Sequence, residues 1–196
     1  MTCKVLITGA TGDTGRVAVR EAIKSGLGVR AMVHRLDDRS KALEALGAEV
    51  VVGDLFEIDT IREAMEGRDA AYLVYPVAPG VITATVNFAH AAKEAGVSYI
   101  VNLSQRSADR YSKSDSCRDT FLSEEVLNWS GLPLTHLRPT YFLEWLLYPW
   151  QLPLLVEKGI LRLPASKGRH APIAAEDQGR VIAALLRDPG DHIGKT

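Results

Sequence analysis

Cysteine is scarce in this chain of 196 residues. The two present, Cys3 and Cys117, build no disulfide framework, and that fits a reducing compartment. An excess of one charge is missing too: 23 basic residues face 24 acidic ones, for a net charge of -1. Such a balance gives no electrostatic footprint for nucleic acid or for an anionic membrane surface. No apolar run is long enough to cross a bilayer. No basic stretch followed by an apolar one opens the chain as a secretory signal would. The expected setting is cytoplasmic, with neither nucleic acid nor membrane as partner. His34, His90, His136, His170 and His192 show no metal-ligand spacing, so no metal is expected and each reads as a surface or core residue. A G-x-S-x-G nucleophile elbow is absent, as are internal repeats. "GDHIGKT" (190–196) has three residues between its glycines where a phosphate loop needs four.

What the chain does have is alternation, on a composition that is 46% hydrophobic and can fill a core. Apolar strands are expected at 4–8, 29–34, 48–54, 69–77, 97–104 and 132–140. Helices are expected at 15–26, 38–47, 59–67, 80–96 and 117–131, with Asp59 as a plausible N-cap of the third. Residues 105–116 are a polar loop. Residues 141–159 are rich in Leu, Trp and Tyr, and a helix opens near Glu176 within 171–190. Strands apolar throughout, spaced by helices, imply a parallel sheet covered on both faces, a doubly wound α/β fold. Its ligand belongs above the C-terminal strand ends, where the strand order reverses.

The turn after the first strand is Gly9-Ala10-Thr11-Gly12-Asp13-Thr14-Gly15. Glycine allows φ > 0, and without a Cβ the backbone amides can approach a pyrophosphate. The next helix offers unpaired N–H groups and the positive end of its dipole. Thr11, Asp13 and Thr14 add hydrogen bonds or cap the helix. Strand, turn and helix agree on dinucleotide binding.

An NAD site wants a carboxylate at the end of the second strand. Here that place holds His34-Arg35, and Arg35 suits a 2′-phosphate, which favours NADP(H) over NAD(H). Asp37 and Asp38 follow and can blunt that preference; a solvated loop charge is the plain alternative for Arg35. Asp54, ending the third strand, suits either an adenine amino group or a helix N-cap.

"ITGATGDTGR", "VVGDLFEIDTIREAMEGRDAAYLV", "HAAKEAGVSYIVNLS" and "SGLPLTHLRPTYFLEWLL" together resemble NmrA-like proteins, atypical members of the short-chain dehydrogenase/reductase superfamily. The resemblance runs from residue 4 to about residue 190. It implies a Rossmann domain at 1–140 and a small substrate lobe at 141–196, reduced or cut short, since family members continue further. "IGKT" looks like the approach to another strand. By position the resemblance implies that Gly9, Thr11, Gly12, Asp13, Thr14 and Gly15 hold the pyrophosphate and Arg35 the 2′-phosphate. Asp54 and Leu55 would border the adenine, and Tyr75 and Pro76 the ribose. Ser104, Pro139 and Thr140 would lie near the nicotinamide.

Standard short-chain reductases place a Ser after the fifth strand and a Tyr-x-x-x-Lys on the next helix. Ser104 is in place; the Tyr-x-x-x-Lys is absent, and Thr120 and Ser123 stand on that helix instead. No catalytic residue is assigned. The family includes quinone and azo-dye reductases, whose electron-poor aromatic acceptors take hydride directly, with protons from water. Tyr75, Tyr141, Phe142 and Trp145 either line a slot for such an acceptor or simply pack. The family also includes non-catalytic redox sensors that regulate a protein partner. Apolar surface near Trp145 and Trp150 suits a homodimer.

Overall fold

The computed structural model describes residues 2–162 and 171–196. Six strands form one sheet: β1 (Lys4–Ile7), β2 (Gly28–Val33), β3 (Glu49–Val52), β4 (Ala70–Leu73), β5 (Tyr99–Leu103) and β6 (Leu134–Leu137). The helices are α1 (Asp13–Lys24), α2 (Asp38–Ala45), α3 (Ile58–Met65), α4 (Val81–Glu94), α5 (Asp115–Ser130), α6 (Leu152–Lys158) and α7 (Ala175–Arg187). Every ladder is parallel, and the spatial order is β3-β2-β1-β4-β5-β6. The chain winds outward one way to β3, then crosses back past β1 to β4. The reversal therefore lies at β1/β4, where a doubly wound sheet opens a crevice at its C-terminal rim.

Side chains alternate across the sheet, so each strand feeds two cores. Val5, Ile7, Tyr72 and Val101 pack with Ala18 and Ala22 of α1 and with Ile182 and Leu186 of α7. Leu6, Leu73 and Ile100 pack with Met65 of α3, Phe88 of α4 and Leu127 of α5 on the opposite face. Burial on both faces explains why the strands are apolar throughout rather than alternating. Helix α7 comes from the 141–196 segment, yet it lies in the same core as α1. At their contact a Cβ on Gly179 would stand 2.5 Å from Val17 Cβ, so only glycine allows the approach.

Several boundaries differ from the sequence expectation. The fourth strand, expected over 69–77, stops at Leu73: the Val74 N–H is given to the Thr8 hydroxyl (3.1 Å) and Pro76 beyond it has no N–H for a ladder. The sixth, expected over 132–140, pairs only over Leu134–Leu137 before the proline at 139. Asp59 is not an N-cap: α3 starts at Ile58, Glu57 holds the cap position, and Asp59 pairs with Arg62 at 3.2 Å inside the helix. Residues near the end of the chain lie along the free edge of β6. There the Gly194 N–H donates to Leu134 O (2.7 Å) and the His136 N–H to Lys195 O (3.0 Å). Among the described residues, no helix is long and apolar enough to cross a membrane.

Candidate functional site

The glycine turn sits at the β1/β4 crevice and is tied to both strands. Thr8 Oγ1 donates to Tyr72 O (3.0 Å) and accepts from Val74 N (3.1 Å), so the ends of β1 and β4 move together. Gly9 has φ +55°, and a Cβ there would stand 2.5 Å from Val74 Cγ1. A Cβ on Gly15 would lie 2.2 Å from Gly9 O, which means the first turn of α1 rests directly on the turn backbone. Gly12 is the N-cap of α1, and no side chain caps that helix. The first-turn N–H groups, which a helix cannot satisfy itself, are left for a ligand. This cradle, which a Cβ would fill, fits the diphosphate of a dinucleotide.

The polar residues of the turn divide. Thr14 faces inward, its hydroxyl 3.2 Å from the buried Tyr72 phenol, so only its backbone N–H is left for an anion. Burial pushes the Tyr72 phenol well above its ordinary range. Thr11 stays on the rim. The Asp13 carboxylate lies 3.5 Å from Arg16. Burial and then that carboxylate raise the Tyr148 hydroxyl, which reaches in from the segment after β6.

At the end of β2, Arg35 is 76% exposed, and its Nε is 3.9 Å from Asp37. Asp37 is otherwise committed. It caps α2 by accepting from Arg39 N (3.0 Å) and Ser40 N (3.2 Å), and it pairs with the Arg39 guanidinium at 2.7 Å. These bonds hold the Asp37 carboxyl below its usual range, the Arg39 hydrogen bond first among them. Asp54 does not cap α3. Its Oδ1 accepts from Phe56 N (2.9 Å) in a local turn, and its Oδ2 is 3.7 Å from His34 Nδ1. Leu55 O accepts from Asn87 Nδ2 at 3.0 Å.

Beyond the crevice, a shallow cleft opens between the ends of β4 and β5 and helices α4 and α5. Tyr75, Pro76, Asn102, Ser104, Gln105, Thr120 and Ser123 are among its walls. Among the described lining residues there is no Asp, Glu, Lys, Arg, His or Cys. Ser104 Oγ is buried without a partner, a cost that a bound ligand would remove. The Tyr75 hydroxyl donates to Pro79 O (2.9 Å). Gln105 Nε2 donates to Thr120 Oγ1 (2.8 Å), and Ser123 donates to Asp119 O (2.8 Å).

Some expected neighbours stand apart from this cleft. Pro139 O accepts from Arg106 N at 3.0 Å, and the Thr140 hydroxyl donates to Ala171 O; neither is among the described lining residues. Of the four aromatics expected in a slot, only Tyr75 lines the cleft. Trp145 is 8% exposed and stacks on Trp150 at 5.4 Å, with Tyr141 6.4 Å away, so these rings pack with each other. Asn102 and Gln105 were not singled out from sequence. An asparagine inside "YIVNL", two residues before Ser104, was the available signal, since period-two alternation puts both on one face. Among the described residues no cluster of His, Cys, Asp or Glu can hold a metal ion; His170 lies outside them.

Strand order, glycine cradle and adjoining cleft define a dinucleotide-binding α/β protein. The chain belongs to the NmrA-like family, whose model matches residues 1–196. It is 30% identical over 186 residues to the NAD(P)H azoreductase of Xenophilus azovorans, covering 95% of this chain and 64% of that one. A photosystem II assembly factor of Synechocystis sp. is 27% identical over 185 residues, 87% of this chain and 53% of that protein. Among solved structures, the NADPH-dependent quinone oxidoreductase of Escherichia coli, crystallised with NADPH, superposes with a TM-score of 0.86 at 27% identity. That match covers 97% of this chain and 67% of that one. The chain thus spans between half and two thirds of the curated relatives it matches here.

Proposed function

We propose that this chain is an NAD(P)H-dependent oxidoreductase that passes hydride directly to quinone- or azo-type acceptors. The observation that carries the reading is the neighbourhood of two features. An uncapped α1 over Gly9–Gly15 takes the diphosphate, and the uncharged cleft with its orphaned Ser104 hydroxyl opens beside it. When bound, the dihydronicotinamide supplies the hydride. The backbone N–H groups of Asp13, Thr14 and Gly15 hold the diphosphate, while the Gly12 N–H closes the turn on Gly9 O (2.9 Å). Asp54 and Leu55 border the adenine, and Tyr75 and Pro76 the ribose. Ser104 donates a hydrogen bond toward the nicotinamide or the acceptor, with Pro139 and Thr140 flanking that end. No described lining residue can serve as an acid in the manner of Tyr-x-x-x-Lys, because the Tyr75 proton is engaged by Pro79. An acceptor that needs only hydride, with protons from water, suits such a wall.

Arg35 supports NADPH over NADH. It follows β2 by two residues, where an NAD site would want an acid, and Asp37, its neighbour, is tied to the α2 cap and Arg39. A regulatory reading draws on the same uncharged wall: a protein that binds the dinucleotide without turnover needs no acid either. Exposed Leu147, Trp150 and Val156 suit a protein partner or a second copy in that case. Purified protein mixed with NADPH and a panel of quinones and azo dyes, followed at the nicotinamide absorbance, separates the two. Turnover supports the reductase. Tight NADPH binding without turnover of any acceptor sinks it and leaves the regulator.

A further inference from the structure

A chain of donors and acceptors runs from the surface of α5 into the wall of the cleft. Asn128 Nδ2 donates to Glu125 Oε1 at 3.2 Å. A carboxylate only accepts, so this bond turns Asn128 Oδ1 the other way, toward His136 Nε2 at 3.1 Å. Nε2 must then carry the proton. In a neutral imidazole that leaves Nδ1 as an acceptor, and it lies 3.0 Å from Asn102 Nδ2. His136 is 5% exposed, and burial lowers its pKa; Glu124 and Glu125 of α5 oppose that shift and Arg138, just past β6, adds to it. With Nδ2 engaged, Asn102 keeps its Oδ1 for the cleft that it lines. Ser104, two residues on and just past the end of β5, brings a hydroxyl whose proton has no acceptor. The wall therefore carries a fixed acceptor and a free donor side by side, with no charged residue among the described lining residues.

We propose that Asn102, oriented by His136 and Asn128, is a specificity-determining residue of this cleft, and that the preferred acceptors are uncharged aromatic rings bearing an amino or hydroxyl donor beside the reducible carbonyl or azo group. Ser104 Oγ–H binds the reducible group, and Asn102 Oδ1 takes the hydrogen bond from the neighbouring substituent. Sulfonated or carboxylated acceptors meet no cation among the described lining residues and lose their hydration without return. The inference rests on the reductase reading for its substrate class, but its geometry is measurable without turnover.

Two near-isosteric probes separate the donor from size: 2-amino-1,4-naphthoquinone and 2-methyl-1,4-naphthoquinone. Equilibrium binding of each is measured by calorimetry on the protein saturated with NADP⁺, beside NADPH oxidation with the methyl compound. Wild type is expected to favour the amino compound by about tenfold, the worth of one hydrogen bond to a fixed acceptor. Asn102→Leu brings the ratio to about one, and Asn128→Leu, which touches no ligand, lowers it by freeing the imidazole tautomer. Nitrogen-15 NMR of the ring shows Nε2–H and a bare Nδ1 on His136 above neutral pH. A ratio near one in wild type, no binding of either probe, or an Nδ1–H tautomer overturns the proposal. Failure to oxidise NADPH with the methyl compound counts against the reductase reading alone, because the binding ratio and the tautomer do not depend on it.

Discussion

Arg138, just past the end of β6, grips Glu124 of α5 with both prongs of its guanidinium: Nε donates to Oε1 at 2.8 Å and Nη2 to Oε2. The Glu124 side chain is 3% exposed, so this carboxylate has left water for the pair. The pair sets the height of α5 against the sheet. Ser123 and Thr120, one residue and one turn before Glu124, are thereby held at the cleft wall.

Breaking this pair from one side leaves a buried, uncompensated charge. Arg138→Met is expected to cost about 3 kcal/mol, measured by urea unfolding, while Glu124→Leu with Arg138→Met together recovers most of that loss. Equal stability of the single and double variants would show that the carboxylate finds water when its partner goes.

The glycines of the turn are unequal. A Cβ on Gly15 meets the Gly9 backbone at 2.2 Å, whereas one on Gly12 meets Gly9 O at 3.2 Å. Gly15→Ala is expected to cost about 1–3 kcal/mol and to abolish NADPH binding, because α1 must lift off the turn. Gly12→Ala is expected to fold nearly as well as wild type and to weaken binding only. Thermal unfolding with calorimetric titration checks both; matching losses of stability would refute the ranking.

Charge reversal at Arg35 tests the phosphate end of the cofactor. Arg35→Glu is expected to weaken NADPH binding by at least tenfold with little change for NADH, since an exposed guanidinium contributes mainly by meeting the 2′-phosphate. Unchanged affinity for both forms would remove Arg35 from the site.

Acid should act on this fold partly through His136. Burial places its folded-state pKa below the ordinary 6.5. The unfolded chain then binds the extra proton between those two values, so unfolding is favoured as pH falls through that window. Stability is full above about 6.5 and declines as pH drops toward the lowered folded pKa. His136→Gln is expected to flatten the decline above pH 5, leaving the steeper loss at lower pH to carboxylates such as Glu49 and Glu176, whose pKa values ion pairs depress. Chemical denaturation from pH 5 to 8 reads the slope; an unchanged slope in the variant would exclude His136.

What the sequence determined by itself was the part governed by local and periodic physics. Apolar runs spaced by helical segments implied a parallel sheet covered on both faces. Gly9, Gly12 and Gly15 between a strand and a helix announced a tight turn with a helix N-terminus resting on its backbone, because close approach and positive φ are properties of residue type. Where the strands end is less local: Tyr75 and Pro76 read as strand yet lie beyond the ladder, since pairing depends on what the neighbouring strand offers. Asp37 and Asp54 are taken up by bonds to residues two and three positions on, the α2 cap and a local turn, which residue type permits, whereas only tertiary structure decided that Thr14 turns inward to Tyr72. The aromatic segment was diverted in the same way, with Trp145 stacking on Trp150 rather than lining the cleft. Asn102, His136 and Asn128 lie far enough apart in sequence that no spacing rule links them; a parallel sheet brings β5 beside β6 and lays α5 across both. Burial then makes each hydrogen bond obligatory, and that requirement, absent from the linear chain, turns an asparagine inside a strand into an acceptor facing the cleft.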